Sequence, residues 1–368
     1  MTSETTTVNN NQATKKANPI KAFFKKLFTP KERIGADAGE KNNWKAWLYL
    51  APSLILLAVF TFYPLINTIV IAFLKNYDYT SQVSEGFTMD NFGVVLGLVG
   101  KTGASDIVYK WQCIYNSVTK TWSYVSGAGS VQVYFQTDVI NYALPNTLII
   151  TFVTVPVSII ISLLISIGLN SIKAFKKFLQ TIFFVPYVTN AIAVGMVFAV
   201  LFDYQGIINF IFNLGASPWV DQAAPTWKAM IALCIYIVWH SLPFKILIFL
   251  SGLQNIDKQY YDAAKIDSAG KWKTMMNVTV PLLSPQILYI MITSFIASFK
   301  EYTSVVGLIG MPSTDGGGTK NMYTVVYYIY DQIKGNVGYG AAAAVLLFII
   351  IMIFTAVQFR VSKKRVYY

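Results

Sequence analysis

The chain has 368 residues, 55% of them hydrophobic and only 12% charged. A water-soluble domain usually carries about 25% charged residues, so composition argues against a soluble fold and for a membrane protein. The net charge of +12 does not point to nucleic acid, because the lysines and arginines gather at the two ends and in short loops, the pattern of a cytoplasmic membrane face.

Residues 1–46 are polar and basic, with Lys15, Lys16, Lys21, Lys25, Lys26, Lys31 and Arg33. They read as a largely disordered cytoplasmic tail. Its stretch IKAFFKKLF is either a short amphipathic patch on lipid headgroups or plain solvated chain. The first apolar run starts only near Trp47, too late for a cleavable signal peptide.

Six apolar runs follow: Ala46–Leu74, Ala143–Leu169, Phe178–Phe202, Ala229–Leu253, Pro281–Phe299 (continuing to about Leu308) and Tyr339–Phe359. Each approaches or exceeds the roughly 20 residues that a membrane helix needs. Almost every run holds Pro or Gly, which membranes tolerate where neighbouring helices resatisfy the backbone. The expected fold is an all-α polytopic membrane protein with six transmembrane helices. Its divisions are a tail at 1–46, a first helix at 47–75, an outer loop at 76–141, a five-helix core at 142–360 containing a cytoplasmic loop at 254–280, and a basic end at 361–368.

Loop charges set the orientation. The short basic SIKAFKK, the loop with Lys258, Lys265, Lys271 and Lys273, and the terminal RVSKKRVYY all fall on the side of the basic tail. Both termini are therefore expected in the cytoplasm of a bacterial cell, with the protein multi-pass in its membrane. The loops at 75–142 and 300–338 face outside. The first, rich in Tyr, Gly and Val, reads as a small extracellular cap with room for a few strands. The second contains the Gly-rich MPSTDGGGTKNM, a gate, a docking surface or a solvated connector.

Catalytic groups are sparse. His240 is the one histidine, and Cys113 and Cys234 give no disulfide framework. GLVGKT at Gly97–Thr102 has only two residues between its glycines, where a phosphate loop needs four, and GGGTK at Gly316–Lys320 fails likewise. No catalytic residue, metal or cofactor is expected, and the chain is expected to bind no ATP itself. No span carries the dense acids or arginines of an ion-coupled carrier. A phosphorylated substrate would favour Arg or Lys at midplane, and none stands out. Lys245, about two turns from the cytoplasmic end of its run, is expected to snorkel toward headgroups. Lys300 and Glu301 close the fifth run, where they pair with neighbours or touch an external partner.

Between the fourth and fifth runs lies GLQNIDKQYYDAAKIDSAGKW. Acids and bases sit about a turn apart, as in Asp262 and Lys265. Ala263 and Ala264 allow another backbone to approach. Ser268 and Gly270 break the helix, with Gly270 able to supply the turn, and KTMMNVTV starts a second short helix. Pro281 is placed to open the fifth span at its first turn. The expectation is a bent helix pair projecting into the cytoplasm.

This stretch resembles the signature of permease subunits of binding-protein-dependent ABC importers: Glu-Ala-Ala, three residues, Gly, nine residues, then aliphatic-x-aliphatic-Pro. Here Asp262-Ala263-Ala264 is followed by three residues, Ser268, nine residues, Val278-Thr279-Val280 and Pro281. The likeness extends over roughly 47–360. LAPSLILLAVFTFYPLINTIVIAF, FTMDNF at Phe87–Phe92, NTLIITFVTVPVSIIISLLISIGLN, FFVPYV, GIINFIF, the segment from Trp239 to Leu253 and GYGAAAAVLL resemble, in order, the carbohydrate branch of the family, of the maltose-type first-permease kind.

The resemblance implies a type I importer (MetI-like) core that moves sugar or oligosaccharide by alternating access. It implies a second permease, two ATP-binding cassette subunits and an extracellular solute-binding protein as partners. Asp262, Ala263, Ala264, Ser268 and Gly270 would form the coupling contact with the ATPase. Residue-by-residue likeness places the substrate pathway at Tyr187, His240, Ser241, Phe244, Ser294 and Ser298. His240 reads equally as a substrate group or as a histidine bonded to a neighbouring carbonyl, and the serines read also as back-bonded to their own helices. A polyol or glycerol-phosphate importer is the near alternative, and an ion-coupled secondary carrier a more distant one.

Overall fold

The computed structural model describes residues 44–102, 107–117, 120–126, 129–135, 138–172, 176–220, 224–310 and 320–362. The patch IKAFFKKLF, the lysines named in the tail, most of MPSTDGGGTKNM and the last six residues lie outside the described residues.

Four helical stretches are long and apolar enough to cross a membrane unbroken: Trp47–Ala72, Val139–Ser171, Thr226–Asn255 and Val337–Ser362. Two more form bent pairs, Gln180–Val188 with Ala191–Leu201 at 102° and Lys271–Leu282 with Ser284–Phe299 at 69°. Six spans result if each bent pair counts as one.

By its contacts the chain divides between Thr61 and Phe62. The first unit holds helix α1 (Trp44–Leu57), and the π turn that follows it (Ala58–Phe62) spans the division. The second unit begins with α2 (Tyr63–Ala72), whose first turn holds Pro64. The same pairing recurs twice. A π turn at Val139–Ala143 precedes α4 (Leu144–Ser171) with Pro145 in its first turn, and one at Met275–Thr279 precedes a short piece that begins Val280-Pro281. Proline has no N–H and crowds the carbonyl four residues back, so widening the preceding turn accommodates it without ending the helix.

The segment expected as the outer loop holds α3 (Asp90–Val95) and a five-stranded antiparallel sheet: β1 (Val99–Thr102), β2 (Ile107–Tyr109), β3 (Cys113–Asn116), β4 (Thr121–Ser126) and β5 (Gly129–Phe135), in the order β2-β1-β5-β4-β3. The spans are helical as expected, and the few strands allowed for in the cap form one complete sheet. Asn91, within FTMDNF, ties the cap to the end of α2: its Nδ2 donates to the carbonyls of Ala72 (3.0 Å) and Leu74 (2.9 Å). Tyr109 donates to Asp90 Oδ1 at 2.8 Å, and that carboxylate pushes the phenol above the ordinary tyrosine range.

After α4 come α5 (Lys176–Val188), α6 (Ala191–Leu201) and the short α7 (Ile207–Ile211). The third run is thus not one straight helix. Asn190 is extended and its side chain accepts from Ile192 N (2.9 Å) and Ala193 N (3.3 Å), an N-cap that starts a new helix in a new direction.

The long α8 (Thr226–Asn255) packs along α4. Ser158, Ser162 and Ser166 of α4 recur every fourth residue and are fully buried. Such small side chains let membrane helices approach closely. Ser166 Oγ donates both to Ser162 O within α4 (2.7 Å) and to Ile246 O of α8 (3.1 Å).

Next come α9 (Lys258–Ile266), α10 (Lys271–Thr274) and α11 (Val280–Leu282), then α12 (Ser284–Phe299). The bend at Leu283 places Pro285, not Pro281, in the first turn of α12. The fifth run does not continue unbroken to Leu308. It stops at Phe299, and α13 (Thr303–Ile309) is a separate helix. It packs on α6 through two glycines: a Cβ on Gly195 would lie 2.6 Å from Gly307 Cα. The outer segment expected as loop also contains α14 (Val325–Gln332), ahead of α15 (Val337–Ser362). Lys320 pairs with Asp138 at 2.9 Å, which raises the ammonium above its ordinary value.

Candidate functional site

A cavity of about 310 Å³ opens between α4, α5, α8 and α12. Tyr187, His240, Ser241, Phe244, Ser294 and Ser298 all line it. Tyr187 comes from α5, just before the chain turns at Asn190. His240, Ser241 and Phe244 lie mid-way along α8, and Ser294 and Ser298 lie one turn apart on α12. Sequence reasoning thus brought together residues from three helices that share one space.

The rings of Tyr187 and Phe244 stack at 6.0 Å and 19°. His240 lies 5.9 Å from Tyr236, whose hydroxyl donates to Ala191 O at the start of α6. Among the described residues no hydrogen bond ties the His240 ring to a carbonyl. The serines differ. Ser241 bonds back to Val238 O at 2.9 Å. Ser298 Oγ is buried without a partner among the described residues.

Among the further lining residues not placed here from sequence, three stand out. Thr154 comes from α4. Glu301 follows α12, and its Oε1 accepts from Ser304 N at 3.0 Å, holding the start of α13 rather than pairing with a basic neighbour. The third is Lys245, which does not snorkel. Its residue is 5% exposed, and its Nζ donates to Ser158 Oγ (2.7 Å) and Ser241 Oγ (2.9 Å). It lies on the face of α8 that meets the serine row of α4, so headgroups are out of its reach. A basic group does therefore line the cavity, contrary to the sequence expectation. The signal was a lone lysine in an apolar run with no acid a turn away.

The second group of predicted residues lies on the knob after α8. Asp257 caps α9, accepting from Gln259 N at 3.0 Å. Asp262 pairs with Lys265 at 2.7 Å, both largely exposed. Ala263 is exposed and Ala264 is buried. The helix ends in a Schellman arrangement: Ser268 N donates to Lys265 O and Ala269 N to Ala264 O, both at 2.9 Å. Ser268 itself takes the left-handed conformation, φ +52°. Gly270, at φ −62°, does not supply this turn but precedes α10 as its N-cap. Ser268 thus fulfils the geometric task that glycine performs most cheaply.

The profile of the binding-protein-dependent transport system inner membrane component family matches residues 158–367, more than half of the chain. The chain is 26% identical over 326 residues to the lactose transport system permease protein LacF of Rhizobium radiobacter, covering 87% of this chain and 94% of that one. It is 26% identical over 330 residues to the sn-glycerol-3-phosphate transport system permease protein UgpA of Agrobacterium fabrum, covering 89% and 97%. A solved chain of a bacterial ABC transporter involved in the import of the acidic polysaccharide alginate has the same fold, with a TM-score of 0.63 at 16% identity over 88% of this chain and 96% of that one. The chain belongs to the binding-protein-dependent transport system inner membrane component family.

Proposed function

We propose that this chain is the transmembrane permease subunit of an ATP-driven importer of sugars or oligosaccharides, and that the cavity between α4, α5, α8 and α12 is its translocation site. The observation that carries the reading is the meeting of Tyr187, His240, Ser241, Phe244, Ser294 and Ser298 in that one space. Hydroxyls and an imidazole offer hydrogen bonds to a polyhydroxylated solute, and the Tyr187–Phe244 stack offers an apolar wall, the composition of a small-molecule site.

Energy enters at the knob. Residues 254–280 carry the contact with a separate ATPase, made by Asp262, Ala263, Ala264 and Ser268. The caps at Asp257 and Ser268 hold α9 rigid at both ends, so a push on it reaches α8 and α12. Closure of two ATPase subunits on ATP then moves this chain and a second permease as rigid bodies and switches access. A solute-binding protein delivers the solute at the outer face, and both termini lie in the cytoplasm.

The test is purification of the chain with its partners and uptake into proteoliposomes. Recovery of a second permease and an ATPase is expected, with uptake that requires ATP and the binding protein. His240→Ala and Ser298→Ala are expected to lower uptake tenfold or more. Accumulation of solute by an ATPase-free preparation would overturn the reading, and unchanged uptake in both variants would remove the cavity from it.

A further inference from the structure

We propose that the cavity accepts a polyhydroxylated solute bearing an anionic group, a carboxylate or a phosphate, with the anion seated against Lys245 and Ser298. This deepens the reading of the cavity as the translocation site and rests on it.

Lys245 is only 5% exposed and lies within the apolar span Thr226–Asn255. Among the described residues it has no carboxylate within ion-pair distance; the ion pairs are Lys75–Glu85, Lys265–Asp262 and Lys320–Asp138, all with exposed side chains. Its two partners are neutral. Ser158 and Ser241 spend their hydroxyl protons on the carbonyls of Val155 (3.0 Å) and Val238 (2.9 Å), so each is left to accept from the ammonium. These bonds fix Nζ in place and use two of its three donors. A cation held inside a membrane without a counter-charge is expensive, and such groups mark ion and substrate paths.

The same cavity holds an unused polar group. Ser298 is 5% exposed, and its Oγ has no partner among the described residues. A buried hydroxyl left unsatisfied costs free energy that an incoming acceptor recovers. A neutral sugar would use Ser298 but would leave Lys245 uncompensated, whereas an anionic one serves both. Phe244, stacked with Tyr187, lines the same cavity as Lys245, so an apolar wall for a sugar ring or carbon chain faces the space that the lysine borders. The other ionisable groups lining the cavity are Tyr187, His240 and Glu301, and Glu301 Oε1 is turned to Ser304 N at the start of α13.

The experiment measures equilibrium binding of labelled digalacturonate, glycerol 3-phosphate and maltose to the complex purified with its partners. The wild type is expected to bind one of the two anionic probes at least tenfold more tightly than maltose. The uronate arm identifies a carboxylate ligand and the glycerol 3-phosphate arm a phosphate. Lys245→Met is expected to remove that tenfold preference while keeping maltose affinity within twofold, and Lys245→Arg to restore most of it. Should Lys245→Met fail to assemble, Ser298→Ala decides: the preference falls if the inference holds and is unchanged if it does not. Tighter binding of maltose, unaltered by either substitution, overturns the inference and leaves the sugar-permease reading standing. Binding of none of the three overturns both.

Discussion

Lys265 and Lys245 lie on consecutive helices and have opposite circumstances. The Lys265 side chain is 76% exposed and paired with Asp262 at 2.7 Å. Lys245 is buried against two serines, with no acid beside it. In water the charge is already solvated, and an exposed pair contributes about 0–1 kcal/mol. Inside the membrane the charge is costly, and neutral hydroxyls offset only part of that cost. The ion pair that looks like an interaction therefore does little, and the lysine without one carries the chemistry.

The contrast can be broken most directly at Lys245. Lys245→Leu is expected to melt no lower than the wild type in a detergent thermal scan, since Ser158 and Ser241 keep their own carbonyl partners, while uptake of the anionic solute falls tenfold or more. A large loss of thermal stability with uptake intact would make Lys245 a structural brace. A smaller effect belongs to Asp257→Ala, which removes the cap of α9 and is expected to cost about 1 kcal/mol. It should be read as faster hydrogen exchange of the amides from Lys258 to Tyr261, with exchange in α8 unchanged. Ser268→Gly is expected to slow exchange at the C-terminal end of α9, gaining up to about 1 kcal/mol by relieving the left-handed serine. Faster exchange there would show that the serine side chain holds the turn. Lys265→Met should be smallest, within about 0.5 kcal/mol. A larger loss of ATPase coupling without a loss of stability would show that the exposed lysine meets a partner.

The knob was legible because its pattern is local: helix formers, two alanines and a turn lie within a dozen residues. The apolar runs were legible because a bilayer imposes length and hydropathy. The bend in the third run was harder to read, since the chain stays apolar through Val188 and only the cap at Asn190 marks the new direction. Lys245 was misread because counting turns from a helix end gives depth but not the face, and its face is set by the serine row of α4. Gly270 was credited with the turn by residue type, whereas the left-handed site is fixed by where the carbonyls of Ala264 and Lys265 find their donors, and that is Ser268. The pairing of β1 with β5 joins segments distant in sequence, so composition announced strands without their order.

The contact between Gly195 and Gly307 has a consequence for how this protein tolerates change. A Cβ on Gly195 would lie 2.6 Å from Gly307 Cα, and one on Gly307 would lie 2.9 Å from Gly195 Cα. The obstacle in each case is main chain, which no rotamer can clear. Neither position can grow while the other stays, and enlarging both only doubles the collision. A saturation library should therefore return the same narrow profile at both codons, glycine alone, with no compensating pair to be found between them.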